Sequence, residues 1–217
     1  MSTERQRWGR VKARMNSHST SPNTATLAEK PRIVGICGHM KEGSATHRAL
    51  ALCLEAAQKA GASTQLLELR HFSLPFAESG YTAEEFPDVA RFNSLVRESD
   101  GLIWATPEYH GSYSGVLKNA LDLGYFNEYE GKVVALLGTA GGQIGAINAL
   151  SHLRGVARHL HAWVLPHQVS IARSSGAFDE TGHLIDEKLA ASVEQLGQEI
   201  VKWARMHRMA AGMETGQ

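Results

Sequence analysis

Three short stretches of this chain gather glycines, hydroxyls and a cation between an apolar run and a helical pattern. Gly38-His39-Met40-Lys41-Glu42-Gly43-Ser44-Ala45-Thr46 follows the apolar run 32–37. Pro107-Glu108-Tyr109-His110-Gly111-Ser112-Tyr113-Ser114 follows 102–105, and Gly138-Thr139-Ala140-Gly141-Gly142-Gln143-Ile144-Gly145 closes the run that begins at Lys132. The first stretch suits a phosphate. A helix start exposes unpaired N–H groups and the positive end of the dipole, Gly38 allows close approach, and Lys41, Ser44 and Thr46 complete the shell. The second offers the flat face of Tyr109 and backbone amides for the rim of a planar heterocycle; the third offers bare amides. Taken one at a time, the same residues also describe ordinary turns. Ser44 or Thr46 would cap a helix, Pro107 would stop a strand, Ser114 would cap the next helix, and the glycines would form a loop.

Other chemistries find less support. Gly38 and Gly43 have the glycine spacing of a P-loop, but Ser44-Ala45 stands where Lys-Ser/Thr would reach terminal phosphates and Mg²⁺. Gly35-X-X-Gly38 is not the dinucleotide fingerprint, and no Gly-X-Ser-X-Gly elbow presents a serine nucleophile. His152, His159, His161 and His167 cross a helix end and a strand without a Cys or carboxylate in a ligand pattern, so no metal site is expected. Cys37 and Cys53 lack Cys-X-X-Cys spacing and read as small core residues in a reducing compartment. Twenty-two basic residues balance 22 acidic ones, which leaves no global field to attract nucleic acid or an acidic membrane surface.

The elements that must position these loops alternate regularly from Pro31. Strands are expected at Arg32–Cys37, Thr64–Leu69, 101–105, Lys132–Gly138 and Trp163–Leu165, the last resuming at Gln168–Ile171 after Pro166. Helices are expected from Thr46 to Ala60, Asp88 to Glu98, 114–123, 144–159 and Glu187 to Arg205. Five strands alternating with helices make an α/β doubly wound parallel sheet with helices on both faces. Periodicity does not fix strand order, and both a flavodoxin-like and a Rossmann order remain open on it.

The run Pro107-Glu108-Tyr109-X-X-Ser112-X-X-Gly115-X-Leu117-Lys118-Asn119-Ala120-X-Asp122 resembles the signature of the NADPH-dependent FMN reductase family, flavodoxin-like enzymes that include quinone and chromate reductases. Phe178-Asp179-Glu180-Thr181-Gly182-His183-Leu184 is similar to that family's hairpin before the last helix. The first loop matches in part. Gly38 and Ser44 are kept, while His39, Lys41 and Thr46 stand at the family's Ser, Arg and Asn positions. The resemblance implies a flavodoxin-like five-stranded sheet of order 2-1-3-4-5 and a bound FMN. Its phosphate would meet Gly38, His39, Lys41, Ser44 and Thr46. Its ring and ribityl chain would meet Pro107, Glu108, Tyr109, His110 and Ser112, with Thr139, Ala140, Gly141 and Gly142 beside the ring. It further implies hydride transfer from NADPH or NADH through FMN to a flavin, quinone or similar small acceptor, with no side chain named as catalytic. A flavodoxin-type one-electron carrier and a non-catalytic FMN-binding regulatory module are the alternatives.

A single domain over 31–209 is expected, between an N-terminal tail at 1–30 and a short C-terminal tail at 210–217. The first segment is rich in Arg and Ser and poor in acids, so organelle import is an alternative to a cytoplasmic location. No membrane span is expected. A homodimer or homotetramer follows from the family resemblance and from Tyr113, Tyr125, Phe126 and Tyr129, which gather near the second loop.

Overall fold

The computed structural model describes residues 29–77 and 79–214; the segment expected as an N-terminal tail lies almost wholly outside them. The strands are β1 (Arg32–Cys37), β2 (Ser63–Glu68), β3 (Gly101–Tyr109), β4 (Ser112–Tyr113), β5 (Val133–Thr139) and β6 (Trp163–Ile171). Five of them are parallel in the order β2-β1-β3-β5-β6, and β4 folds back antiparallel on the end of β3. The five-stranded part has the flavodoxin-like order. Around it lie α1 (Ala45–Lys59), α2 (Pro87–Arg97), α3 (Gly115–Asp122), the single turn α4 (Phe126–Tyr129), α5 (Ile147–His159) and α6 (Glu187–Glu214).

Alternation along the strands divides the core in two. Ile33, Ile103, Ala135 and Leu137 face α1 and α6, where they meet Leu50, Cys53, Leu196 and Ile200. Val34, Ile36, Leu102, Trp104 and Leu136 face the other layer, where they meet Phe92, Leu117, Leu121 and Leu153. Both faces are covered, which is why these strands read as unbroken apolar runs rather than alternating ones. On the first face α1 and α6 approach so closely that a Cβ at Gly197 would strike the Cys53 carbonyl and lie 2.8 Å from Ala56 Cβ. Burial pushes the Cys37 and Cys53 thiols up to about 11 and about 12, so both stay protonated at neutral pH.

Four local features differ from the sequence expectation. β3 passes through Pro107 to Tyr109 because the Ala105 carbonyl accepts from Gly38 N–H on the β1 side, and Pro107, two residues on, points the same way beyond the end of β1. Its missing N–H therefore costs no ladder bond. β6 is one strand, with Pro166 in the irregularity where its register against β5 shifts between Val134 and Leu136. α6 continues past Arg205 to Glu214, taking in part of the expected C-terminal tail, and Arg208 docks its last turns on Asp100 at 3.1 Å. Tyr129 is a core residue, edge-on to Trp104 with centroids 5.9 Å apart, whereas Tyr125 and Phe126 are exposed. Among the described residues no helix is long and apolar enough to cross a membrane.

Two alanine substitutions separate intrinsic propensity from packing. At exposed Gly155, in the interior of α5, a Cβ meets nothing, so Gly155→Ala should raise the unfolding free energy by about 0.5–1 kcal/mol in urea titration. Gly197→Ala should lower it by about 1–3 kcal/mol despite the better helix propensity of alanine.

Candidate functional site

The loops after β1, β3 and β5 open on one edge of the sheet. β1 and β3 are level at Cys37 and Ala105, and β3 and β5 at Pro107 and Thr139. A cavity of about 450 Å³ lies among these loops, closed on a further side by Ser174, Ser175 and Phe178. Its floor is held by buried hydroxyls. Thr46 Oγ1 and Thr139 Oγ1 meet at 2.7 Å, joining the first turn of α1 to the end of β5. Ser114 Oγ caps α3 by accepting from Leu117 N–H at 3.2 Å and donates to the Gly38 carbonyl at 2.6 Å. Gly38 packs so tightly there that its Cβ would lie 2.8 Å from Leu117 Cβ.

One corner is built for an anion. Ser44 is the N-cap of α1 and accepts from His47 N–H at 3.2 Å. No acid occupies the first turn, while Lys41 and Arg48 both line this part of the cavity. Glu42, the single acid of the loop, pairs instead with Arg70 at 3.2 Å. Cations at a helix N-terminus oppose the dipole, so this arrangement is unfavourable until an anion joins it. Arg48 also lies over the Phe178 ring, 5.9 Å from its centroid. Phe178 reaches that point from the expected hairpin, where it bridges Leu184 and the Asp179 carboxylate accepts from Thr181 and His183 N–H groups.

The second loop forms a wall. Half-exposed Tyr109 places its hydroxyl 3.0 Å from His39 Nε2, and His39 Nδ1 accepts from Lys41 N–H at 2.9 Å. Burial, with Lys41 nearby, holds the His39 pKa below the usual histidine range, which favours the neutral ring. Glu108 turns its carboxylate to α5, accepting from Ala149 N–H at 3.0 Å. That helix has no side-chain cap of its own, so Glu108 caps it from β3 and ties the second loop to the helix that follows the third.

The third loop is anchored by the chain beyond β6. Ala140 N–H donates to the Ile171 carbonyl at 2.9 Å, Ser174 N–H donates to Ala140 at 3.0 Å, and Arg173 N–H donates to Gly142 at 3.0 Å. These bonds bring Ser174 and Ser175 to the cavity.

Of the residues expected from the sequence, His39, Lys41, Ser44, Thr46, Pro107, Glu108, Tyr109, Thr139, Ala140 and Gly141 line this cavity. Gly38 packs behind it. His110 and Gly111, at φ of 52° and 77°, are the two turn residues of the β3–β4 hairpin, and His110 is exposed at its tip. Ser112 Oγ lies 3.0 Å from His152 Nδ1, and the Gly142 carbonyl is taken by Arg173, so neither belongs to the lining. Gly43, Ala45, Arg48, Ser174, Ser175 and Phe178 line it without having been expected as cofactor-binding residues. Arg48 did carry a signal, as a cation one turn after Ser44 in an acid-free helix start.

Residues 31–176 match the family pattern described as NADPH-dependent FMN reductase. The chain is 33% identical over 187 residues to an NAD(P)H-dependent FMN reductase of Pseudomonas aeruginosa, spanning 84% of this chain and 100% of that protein. It is 34% identical over 142 residues to a 2-hydroxy-1,4-benzoquinone reductase of a Burkholderia species, spanning 63% of this chain and 77% of that one. Among solved structures it is similar to FerB, a flavoenzyme NAD(P)H:(acceptor) oxidoreductase of Paracoccus denitrificans, with a TM-score of 0.69 at 26% identity over 82% of this chain and 99% of the other. The sheet order, the loops gathered at its carboxyl edge and these matches agree: the chain belongs to the NADPH-dependent FMN reductase family.

Proposed function

We propose that this protein is an FMN-dependent NAD(P)H oxidoreductase that passes two electrons as hydride to a flavin, quinone or similar small acceptor. The observation that carries the reading is the cationic start of α1, free of acids in its first turn, facing the same cavity as the Tyr109 wall and the amides of the third loop. That donor set fits a phosphate monoester at one end and a planar ring at the other. Lys41, Arg48, the Ser44 hydroxyl and the first amides of α1 would hold the phosphate, and Gly43 leaves its approach open, since a Cβ there meets nothing within 4 Å. Tyr109, Thr139, Ala140 and Gly141 would border the ring.

When bound, FMN supplies the redox chemistry of its ring, taking and giving hydride. The protein's own groups bind and orient. Glu108 keeps its charge on α5, which fixes the spacing of the ring-side loops. We extend the reading to a homodimer or homotetramer, supported by the relatedness and by exposed Tyr125 and Phe126.

Titration of purified protein should quench the fluorescence of about one equivalent of FMN per chain, and the loaded protein should oxidise NADPH or NADH continuously when a benzoquinone is added. Failure to bind FMN would overturn the reading. FMN binding without nicotinamide oxidation would mark a carrier or a regulatory module instead.

The phosphate corner has its own test. Lys41→Ala and Arg48→Ala should each weaken FMN about tenfold, since a charge-assisted contact is lost, while Lys41→Arg should preserve or strengthen binding. Riboflavin, which has no phosphate, should bind all of these variants like the wild type. Equal losses for riboflavin and FMN would show that the corner supports the fold or the ring rather than the phosphate.

A further inference from the structure

The side chain of His39 touches both the backbone of the anion-binding loop and Tyr109 of the second-loop wall. Its Nδ1 accepts from Lys41 N–H at 2.9 Å, two residues along the chain. This is the bond that a Ser, Asn or Asp side chain makes to its own backbone in a tight turn. An imidazole nitrogen that accepts carries no proton, so the neutral ring must hold its proton on Nε2. That proton points to Tyr109 Oη at 3.0 Å, with the two rings edge-on at 64°. The phenol oxygen accepts, and this bond does not use its own O–H. A serine at this position, which the family resemblance implies, could make the turn bond but is too short to span the second distance.

We propose that His39 is a positioning residue for flavin binding, which ties the backbone of the phosphate loop to the Tyr109 wall through one fixed tautomer. The proposal rests on the reading of the cavity as an FMN site. Its two arms do separable work. The Nδ1 arm shapes the turn that presents Lys41, and so acts on the phosphate. The Nε2 arm fixes Tyr109, and so acts on the part of the ligand that FMN and riboflavin share.

The test is a fluorescence titration of FMN and of riboflavin with wild type, His39→Asn, His39→Ala, Tyr109→Phe and the double variant His39→Asn/Tyr109→Phe, together with the imidazole ¹⁵N spectrum of the ligand-free protein. His39→Asn keeps an acceptor for Lys41 N–H and loses the reach to Tyr109. It should weaken FMN and riboflavin by the same factor, roughly fivefold for one neutral hydrogen bond. Tyr109→Phe should do the same, and the double variant should be no weaker than either single one, because all three lack the same bond. His39→Ala should show a further loss for FMN alone. The spectrum should report an unprotonated Nδ1 and a protonated Nε2 for His39. Losses that multiply in the double variant, or a proton on Nδ1, would overturn the proposal while leaving FMN binding by the wild type intact. A wild type that binds no FMN would overturn the reading on which it rests, and the ¹⁵N spectrum would still decide the tautomer.

Discussion

A parallel sheet buried on both faces must stop somewhere, and at its end the backbone has neither a next strand nor free access to water. In this protein buried hydroxyls satisfy that end, and the site depends on where they stand. Ser114 N–H donates to Thr106 Oγ1 at 3.0 Å, and Thr106 Oγ1 donates in turn to the Pro107 carbonyl at 2.9 Å. Ser114 Oγ takes the Gly38 carbonyl and caps α3 at once. Ser170 Oγ accepts from Ala146 N–H at 2.8 Å at the head of α5. The Ser114–Gly38 bond joins the first two loops of the cavity, and the part-buried Ser170 ties the end of the third loop to β6. The requirement to pair buried polar groups is thus what gives the loops one fixed spacing.

Against that satisfied frame, the departures from local preference stand out. Lys41 and Arg48 at the start of α1 work against the helix dipole, and Gly43 holds the loop open in a left-handed turn. Glu108, by contrast, follows the rule, placing a carboxylate on the positive end of α5. The helix starts that follow the first and third loops are therefore unequal: α5 is neutralised by Glu108, and α1, which lines the cavity, is left for a ligand anion. Local conflicts of this kind are expected at functional sites, where the missing partner is not part of the chain.

Much of the fold was legible because burial writes itself into composition. β1, β3 and β5 are apolar on both sides, and their limits agree with the expectation to within a few residues, apart from the run of β3 through Pro107. Strand order was not legible from periodicity, which records what a strand buries and not its neighbour; it came from the resemblance of the Pro107–Asp122 run. The site was legible where it is local. Gly38 to Thr46 and Pro107 to Tyr109 carry their chemistry in consecutive residues. It was not legible where it depends on distant pairing: Ser174 and Ser175 reach the cavity only because Ser174 N–H finds the Ala140 carbonyl. Thr46 shows the intermediate case. Its position was foreseen, but its hydroxyl is shared with Thr139, 93 residues away, and it serves the floor of the cavity.

The central claim is that the unequal helix starts orient a flavin, phosphate toward α1 and ring toward Tyr109 and the third loop. A crystal structure of the protein with FMN tests it most directly. The account predicts phosphate density among the α1 amides, Lys41 and Arg48, with the ring between Tyr109 and Ala140-Gly141. Phosphate density at the head of α5, or a flavin bound away from the carboxyl edge of the sheet, would contradict it.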